Sequence, residues 1–263
     1  MSLRALSTAV TGMRAQQTNV DVIANNIANV NTNGFKKARA RFEDLFYQQI
    51  RRAGGQALEG RVAPTGIEIG TGVRLAGTFR DFRPGSPFET QAPLDIFIDG
   101  EGFLQVKTFQ DETGYTRDGS FGLDAEGNIV TKDGFLLEPN IQVDLTSAVA
   151  VQVSRDGVIE TIDQNGVVSQ VGQIELARFP NPGGLKAAGD NIFLETEASG
   201  PPTTGNPAQD GFGTTLGGFV EESNVDVVEE LVSLIAAQRA FEVNSNSIKV
   251  ADQMWQVANT LRQ

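Results

Sequence analysis

Along the first 27 positions a 3-4 rhythm places Leu3, Leu6, Val10, Met13, Gln17, Val20, Ala24 and Ile27 on one line. This spacing predicts a single helix with a heptad-like seam. At helical rise it makes a rod of roughly 40 Å. The last 41 residues predict a second helix, with Ser223 as N-cap, Asp226 three positions on, and Glu229 and Glu230 favourably placed in its early turns. Two stripes can be traced along it. One follows Leu231, Leu234, Gln238, Phe241, Ser245, Ile248, Asp252 and Trp255; the other follows Ala236, Ala240, Val243, Ser247, Val250, Met254, Val257 and Leu261. Phe241 and Val243 lie about 200° apart on a helix, so this segment offers two apolar faces and predicts more than one covering neighbour.

Between the ends the period changes to two. Short alternating runs such as Ile96-Phe97-Ile98 and Phe103-Leu104-Gln105-Val106 are bounded by Asp99-Gly100, Asp118-Gly119, Asp133-Gly134, Asp156-Gly157 and Asn165-Gly166. These dipeptides are hairpin signals, and the stretch from about 75 to 195 reads as antiparallel β structure. Glycine and proline divide the chain in the same way. Of 29 glycines, 27 lie between Gly54 and Gly218, and all ten prolines lie between Pro64 and Pro207. The expected fold class is α+β: two long terminal helices packed as a coiled-coil-like inner domain, with a central antiparallel β-rich outer domain. The expected boundaries are a first helix over 1–35, an extended connecting domain over 36–75, a β-rich domain over 76–197, a return connection over 198–222 that reads as flexible or irregular over 198–218, and a second helix over 223–263.

Charge follows this division. Residues 1–53 carry +5, residues 219–263 carry −4, and the middle holds −13 of the formal total of −12. So acidic a chain argues against nucleic acid as the main partner. With neither cysteine nor histidine, disulfides, thiolate chemistry and Cys/His zinc sites are excluded. The N-terminus lacks the continuous apolar core of a cleavable signal, and no run approaches the roughly 18 apolar residues of a membrane span. Gly100-Glu-Gly102 lacks the third glycine of a dinucleotide loop, and Asp124-Ala-Glu126-Gly127-Asn128 lacks the ligand spacing of a calcium loop, so both read as turns. No carboxylate pair stands out for glycosidase work, and no catalytic residue, cofactor or metal ligand is assigned. Lys36, Lys37, Arg39 and Arg41 read as a solvated basic face or as contacts to acidic neighbours.

The residues that remain are distinctive. ANNIANVNTNGFK at 24–36, SNVDVVEELVSLIAAQRAFEVNSNSIKVADQM at 223–254, IFIDGEGFLQV at 96–106 and YTRDGSFGLDAEGNIVTKDGF at 115–135 resemble the bacterial flagellar axial proteins, the rod and hook family. The resemblance spans essentially the whole chain. TNVDVIANNIANVNTNGFKKARARFEDLFYQQIRRAGGQ at 18–56 and IGTGVR at 69–74 are similar to its rod members. Leu6 replaces a common tryptophan, and Asn246 a common lysine. The resemblance implies a structural subunit that polymerises helically and transmits torque. It also implies export by the flagellar type III apparatus without a cleaved signal, and a location in the basal body across the periplasm and outer-membrane region. The implied partners are further copies, other rod proteins, the hook protein and the P- and L-ring proteins. A hook or proximal rod component, or a cell-wall carbohydrate-binding β domain, are the alternative readings.

The residues expected at subunit interfaces are Leu3, Leu6, Val10, Met13, Val20, Asn26 and Ile27 in the first helix, and Leu231, Leu234, Phe241, Ile248, Val250, Met254, Trp255 and Leu261 in the second. Tyr47, Gln48, Ile50, Arg51 and Pro64 belong to the segment over 47–66 that the resemblance associates with a straight, rigid tube. Asn31, Asn33 and Gly34 tolerate left-handed backbone and are expected to stop the first helix, with Phe35 anchoring the chain beyond it. Asn25, Asn26 and Asn29 are expected beside the seam, solvated in a single chain and bonded across helices in a polymer.

Overall fold

A computed structural model describes residues 2–52, 56–58, 61–62, 65–109, 112–144, 148–164 and 166–260. Two helices stand at the ends, α1 over Ser2–Ala28 and α2 over Val227–Thr260, and the strands between them pair antiparallel. The chain divides into two compact units. Unit 1 holds Met1–Ile27, Ala38–Phe79 and Asp226–Gln263; unit 2 holds Ala28–Lys37 and Arg80–Val225.

In unit 1 the helices pack antiparallel. Asn26 meets Glu230 near one end, and Gly12 faces Asn244 further along, where an added Cβ would lie 3.0 Å from the Asn244 amide nitrogen. The deepest positions are mainly small: Ala9 and Ala15 on α1, Ala237 and Ala251 on α2, with Ile23, Asn26 and Glu230 beside them. The N-cap of α2 differs from the expected one. Asp226, not Ser223, caps the helix, its Oδ1 accepting from the Val228 N–H (2.8 Å) and the Glu229 N–H (3.1 Å). The residues before it are committed elsewhere: Asn224 is bonded to three backbone groups and Val225 is buried, so the helix cannot start sooner. The rest of unit 1 is a set of two-stranded ribbons. Ala38–Asp44 pairs with Val73–Arg80, Gln48–Arg51 with Ile67–Ile69, and Gln56–Leu58 with Arg61–Val62.

Unit 2 is built on a nine-stranded sheet whose main path runs Phe121–Leu123, Ile129–Thr131, Leu136–Glu138, Phe103–Lys107, Thr113–Thr116, Ile192–Leu194 and Lys186–Gly189. Strand Leu176–Arg178 also pairs with Phe103–Lys107 and carries Thr203–Gly205. A three-stranded sheet of Ala148–Val153, Val158–Asp163 and Val168–Gln173 completes the body. Ile96, Ile98, Leu104, Val106, Ile129, Leu137, Ile159, Ile174 and Leu176 form the aliphatic core. Phe103, Tyr115, Phe179 and Phe193 form a second cluster, joined edge-on by Phe82.

The turn signals are met unevenly: Asp118-Gly119 lies in an irregular link between strands Thr113–Thr116 and Phe121–Leu123, which do not pair, and Asn165 of Asn165-Gly166 lies outside the described residues. Asp124–Asn128, Asp133-Gly134 and Asp156-Gly157 each sit between consecutive paired strands. The run Ile96–Asp99, however, does not pair with Phe103–Lys107. It pairs with Thr214–Gly217, so the turn at Asp99-Gly100 carries the chain between sheets. The return connection is likewise not irregular. It contributes Thr203–Gly205, Thr214–Gly217 and Phe219–Glu221, the last paired with Pro87–Glu89. Local alternation over three or four residues is too short to be read once proline and glycine interrupt it.

Gly119 is required for a different reason from its neighbours: an added Cβ would lie 1.8 Å from the Ile96 carbonyl oxygen, while one on Gly122 meets nothing within 4 Å. Gly119→Ala is therefore expected to destabilise the protein by about 1–3 kcal/mol or more in urea titrations. Gly122→Ala is expected to stay within about 1 kcal/mol of the parent; equal effects would refute the close-approach explanation.

Candidate assembly interface

The predicted seam residues of α1 are neither core nor fully open. Leu6, Val10, Met13, Val20 and Ile27 are half-buried, flanking the small residues that make the closest contact, and Gln17 and Ala24 are exposed. Leu3 lies in α1, but its side chain is outside the described set. On α2, Leu234 and Ile248 are half-buried, whereas Leu231, Phe241, Val250, Met254 and Trp255 are exposed. Leu261 and Pro64 lie outside the described residues. Phe241, Val20, Gln17, Gln238 and Glu242 line an open hollow of about 430 Å³ between the two helices.

A further set of large apolar side chains on α2, not singled out in either helical interface set, is also exposed: Val228 (70%), Val232 and Ile235. Val243, Val250, Met254 and Val257 continue this line along the helix, while exposed Trp255 (40%) and Phe241 lie on the opposite stripe. This is far more than the scattered apolar residues of an ordinary surface. The ribbons add to it. Phe46 is 96% exposed, and Tyr47, Ile50, Ile67 and Ile69 are open on the Gln48–Arg51/Ile67–Ile69 pair. Gln48 and Arg51 are exposed there too. A two-stranded ribbon with no covered face is marginal on its own.

The asparagine-rich stretch resolves into separate roles. Asn26 is buried within a single chain, not solvated. Its Nδ2 donates to the Ala38 carbonyl (2.8 Å) and to Glu230 Oε2 (3.1 Å), and its Oδ1 accepts from the Ala38 N–H (2.9 Å). The side-chain amide thus pairs with Ala38 as a strand backbone would, tying α1, α2 and the first ribbon together. Gly34 alone among Asn31, Asn33 and Gly34 takes positive φ (67°). Asn33 works through its side chain and carbonyl instead, donating to Ser120 Oγ (3.1 Å) and accepting from Asn191 Nδ2 (2.9 Å). Phe35 is buried.

Beyond Phe35 the basic cluster is split by burial. Lys36 is fully enclosed (0%) and forms a short ion pair with Glu221 (1%), while its ammonium also donates to the Arg83 carbonyl (2.9 Å). Glu221 Oε1 accepts the Gly85 N–H (2.8 Å), and its other oxygen lies 3.5 Å from Arg117. Arg117 donates to the Ile98 and Gly100 carbonyls and lies over the Phe103 ring. Burial pushes the Lys36 ammonium below its ordinary pKa, against the raising effect of Glu221; burial does the same to Arg117. Asn224 ties two other segments to its own at this point, accepting from the Lys37 N–H (2.8 Å) and donating to the Asp81 (2.8 Å) and Arg83 (3.1 Å) carbonyls. Lys37 is buried as well, so the solvated-face reading fails for the two lysines, while the reading as contacts to acidic neighbours is met by Lys36 with Glu221 and by exposed Arg39, which reaches Glu229 at 3.5 Å. Glu221, Arg117 and Asn224 were not visible as site residues because Lys36 and Glu221 are 185 positions apart and no local pattern links them.

Three family descriptions match the chain: "Flagella basal body rod protein" over residues 6–36, "Flagellar hook protein FlgE/F/G D1 domain" over 97–170 and "Flagellar basal body rod FlgEFG protein C-terminal" over 216–261. The flagellar basal-body rod protein FlgG of Caulobacter vibrioides is 47% identical over 262 residues, covering 99% of this chain and 100% of that protein. The chain belongs to the flagellar basal-body rod family. The rod proteins named FlgG of Borreliella burgdorferi (44%, 99% of each chain) and Bacillus subtilis (40%, 97% of each chain) are similar over the same span. The flagellar hook protein FlgE of Helicobacter mustelae, at 39%, aligns with only 56% of this chain and 32% of its own length. The first rod-family match takes in α1 from Leu6, Asn26 and the Asn-Gly joint as far as Lys36. The last takes in Glu221, Asn224 and α2. Among the described residues no helix is long and apolar enough to cross a membrane.

Asn26→Ala is expected to cost about 1–3 kcal/mol, because it removes the partner of the half-buried Ala38 backbone groups and a buried donor to Glu230. Helix-monitored thermal melts check this, with exposed Asn31→Ala expected within about 0.5 kcal/mol of the parent.

Proposed function

We propose that the chain is a structural subunit of the distal rod of the flagellar basal body, which polymerises helically and carries torque from motor to hook. The observation that carries this reading is the exposed apolar surface of α2 together with the uncovered ribbons of unit 1, in a chain of the rod family. Each such residue fully buried against a neighbouring copy contributes roughly 1.5–3 kcal/mol. Every subunit repeats the same contacts, so a polymer gains stiffness from many modest terms.

In this reading α1 contributes Leu3, Leu6, Val10, Met13, Val20 and Ile27, with Asn26 fixing the helix pair. The second helix contributes Leu231, Leu234, Phe241, Ile248, Val250, Met254, Trp255 and Leu261. The ribbon segment with Tyr47, Gln48, Ile50, Arg51 and Pro64 supplies the straight-tube contacts. Five divisions organise the subunit: two terminal helices, a connecting domain over 36–75, a β-rich body over 76–197 and a return segment over 198–222. The polymer meets other rod proteins and the hook at its ends and the P- and L-ring proteins along its side. It crosses the periplasm after export through the flagellar type III apparatus. The role is mechanical, with no bound cofactor.

Val250→Asp and Trp255→Asp place charges on exposed positions of α2, so folding stability is expected to change by no more than about 0.5–1 kcal/mol. Assembly is expected to fail: electron microscopy should show no straight tubes, and cells carrying either variant should not swim. Full-length tubes from both variants would refute the proposed contact face.

A further inference from the structure

The buried cluster at Glu221 joins chain segments from opposite ends of the sequence. Residues 34–37 are held to the return segment by three bonds within unit 2: Gly34 N–H to the Glu221 carbonyl (2.7 Å), the Lys36 ammonium to the Glu221 carboxylate, and Lys37 N–H to Asn224 Oδ1 (2.8 Å). The return segment is fixed in turn on the body by the pairing of Phe219–Glu221 with Pro87–Glu89.

Charge at this point is uneven. Two buried cations, Lys36 and Arg117, converge on one buried carboxylate, with Asp81 and Glu101 the other carboxylates acting on them. Take Glu221 away and the Lys36 ammonium faces a buried arginine, with only the Arg83 carbonyl as acceptor among its recorded bonds. Enclosing a cation in that state costs far more than leaving its segment in water. Take Lys36 away and Glu221 keeps Arg117 and the Gly85 N–H, one charge against one. The two losses are not equivalent.

We propose that Glu221 makes the docking of residues 29–37 and of residues 219–225 onto the rest of unit 2 a single cooperative event. Both segments seat together or neither does, with Lys36 as the group that cannot be enclosed alone and Asn224 as the neutral staple at the exit. The backbone of α1 continues directly into the first of these segments. For an assembling subunit, which rests on the rod reading above, an incomplete chain therefore keeps residues 29–37 incompletely anchored on the rest of unit 2 until the return strand is in place.

Hydrogen–deuterium exchange with mass spectrometry on the full-length, unassembled chain tests this, and tubes need not form for it to be read. In Glu221→Gln, exchange over 29–37 and over 219–225 is expected to rise together by about tenfold or more, while strand Phe103–Lys107 stays protected. Lys36→Met is expected to change either segment by less than about threefold. Asn224→Ala, which alters no charge, is expected to loosen both segments in the same proportion. Should Glu221→Gln fail to fold, the parent protein in rising sub-denaturing urea decides: the two segments must lose protection with one midpoint and one slope. Loosening of one segment alone in any of these experiments overturns the proposal, as does a Lys36→Met as disruptive as Glu221→Gln.

Discussion

A buried carboxylate that must be satisfied is the constraint around which unit 2 closes. Glu221 sits at the end of a short strand, and its backbone and side chain answer different needs. The carbonyl takes the Gly34 N–H, one carboxylate oxygen takes Lys36 and the Gly85 N–H, and the other faces Arg117. Those partners come from the stretch after α1, the stretch before strand Pro87–Glu89, and the centre of the body. An apolar residue at this position would fill the space without specifying which segments meet there. Charge pairing in a low-dielectric site distinguishes right partners from wrong ones more sharply than apolar packing does, at the cost of desolvation.

The helices of unit 1 show a division of labour between small and large residues. Ala9, Ala15, Ala237 and Ala251 lie deepest and let the backbones come close at Gly12. The larger residues flank that line or face away from it. A pair of helices joined this way satisfies its own contact with little apolar area. Most of the Val, Ile, Met and Trp surface of α2 stays exposed, far more apolar surface than a helix packed on a single neighbour needs to leave open.

How far the sequence foretold this depends on the range of each interaction. Both helices were legible because they hold no proline and a single glycine, Gly12, and a 3-4 rhythm runs through them. The antiparallel body was legible from period-two runs and Asp-Gly turns. The exact inner line of α1 was not: the rhythm of Leu6, Val10 and Met13 identifies a face, but neighbouring positions differ by 100° and alanines give little signal. Partner choice was hidden as well. Asp99-Gly100 announces a turn without saying that Ile96–Asp99 will pair with Thr214–Gly217. Lys36 could be read as solvated or as paired with an acidic neighbour, but the sequence did not say which, because Glu221 is remote from it. Asn26 was singled out, yet its partner Ala38 is a backbone group, which no residue type advertises.

Asn33-Gly34 carries a chemical consequence of its own. Asn-Gly is the dipeptide most prone to spontaneous cyclisation, in which the glycine nitrogen attacks the asparagine side-chain carbonyl and ammonia leaves. In the folded chain the Gly34 nitrogen donates to the Glu221 carbonyl, and the Asn33 amide is engaged with Ser120. An alanine in place of Gly34 could not enter, since its Cβ would lie 2.5 Å from the Asp118 nitrogen. The joint thus needs the very sequence that ages fastest, and its own hydrogen bonds withhold the nucleophile. Folding acts at this joint as a preservative.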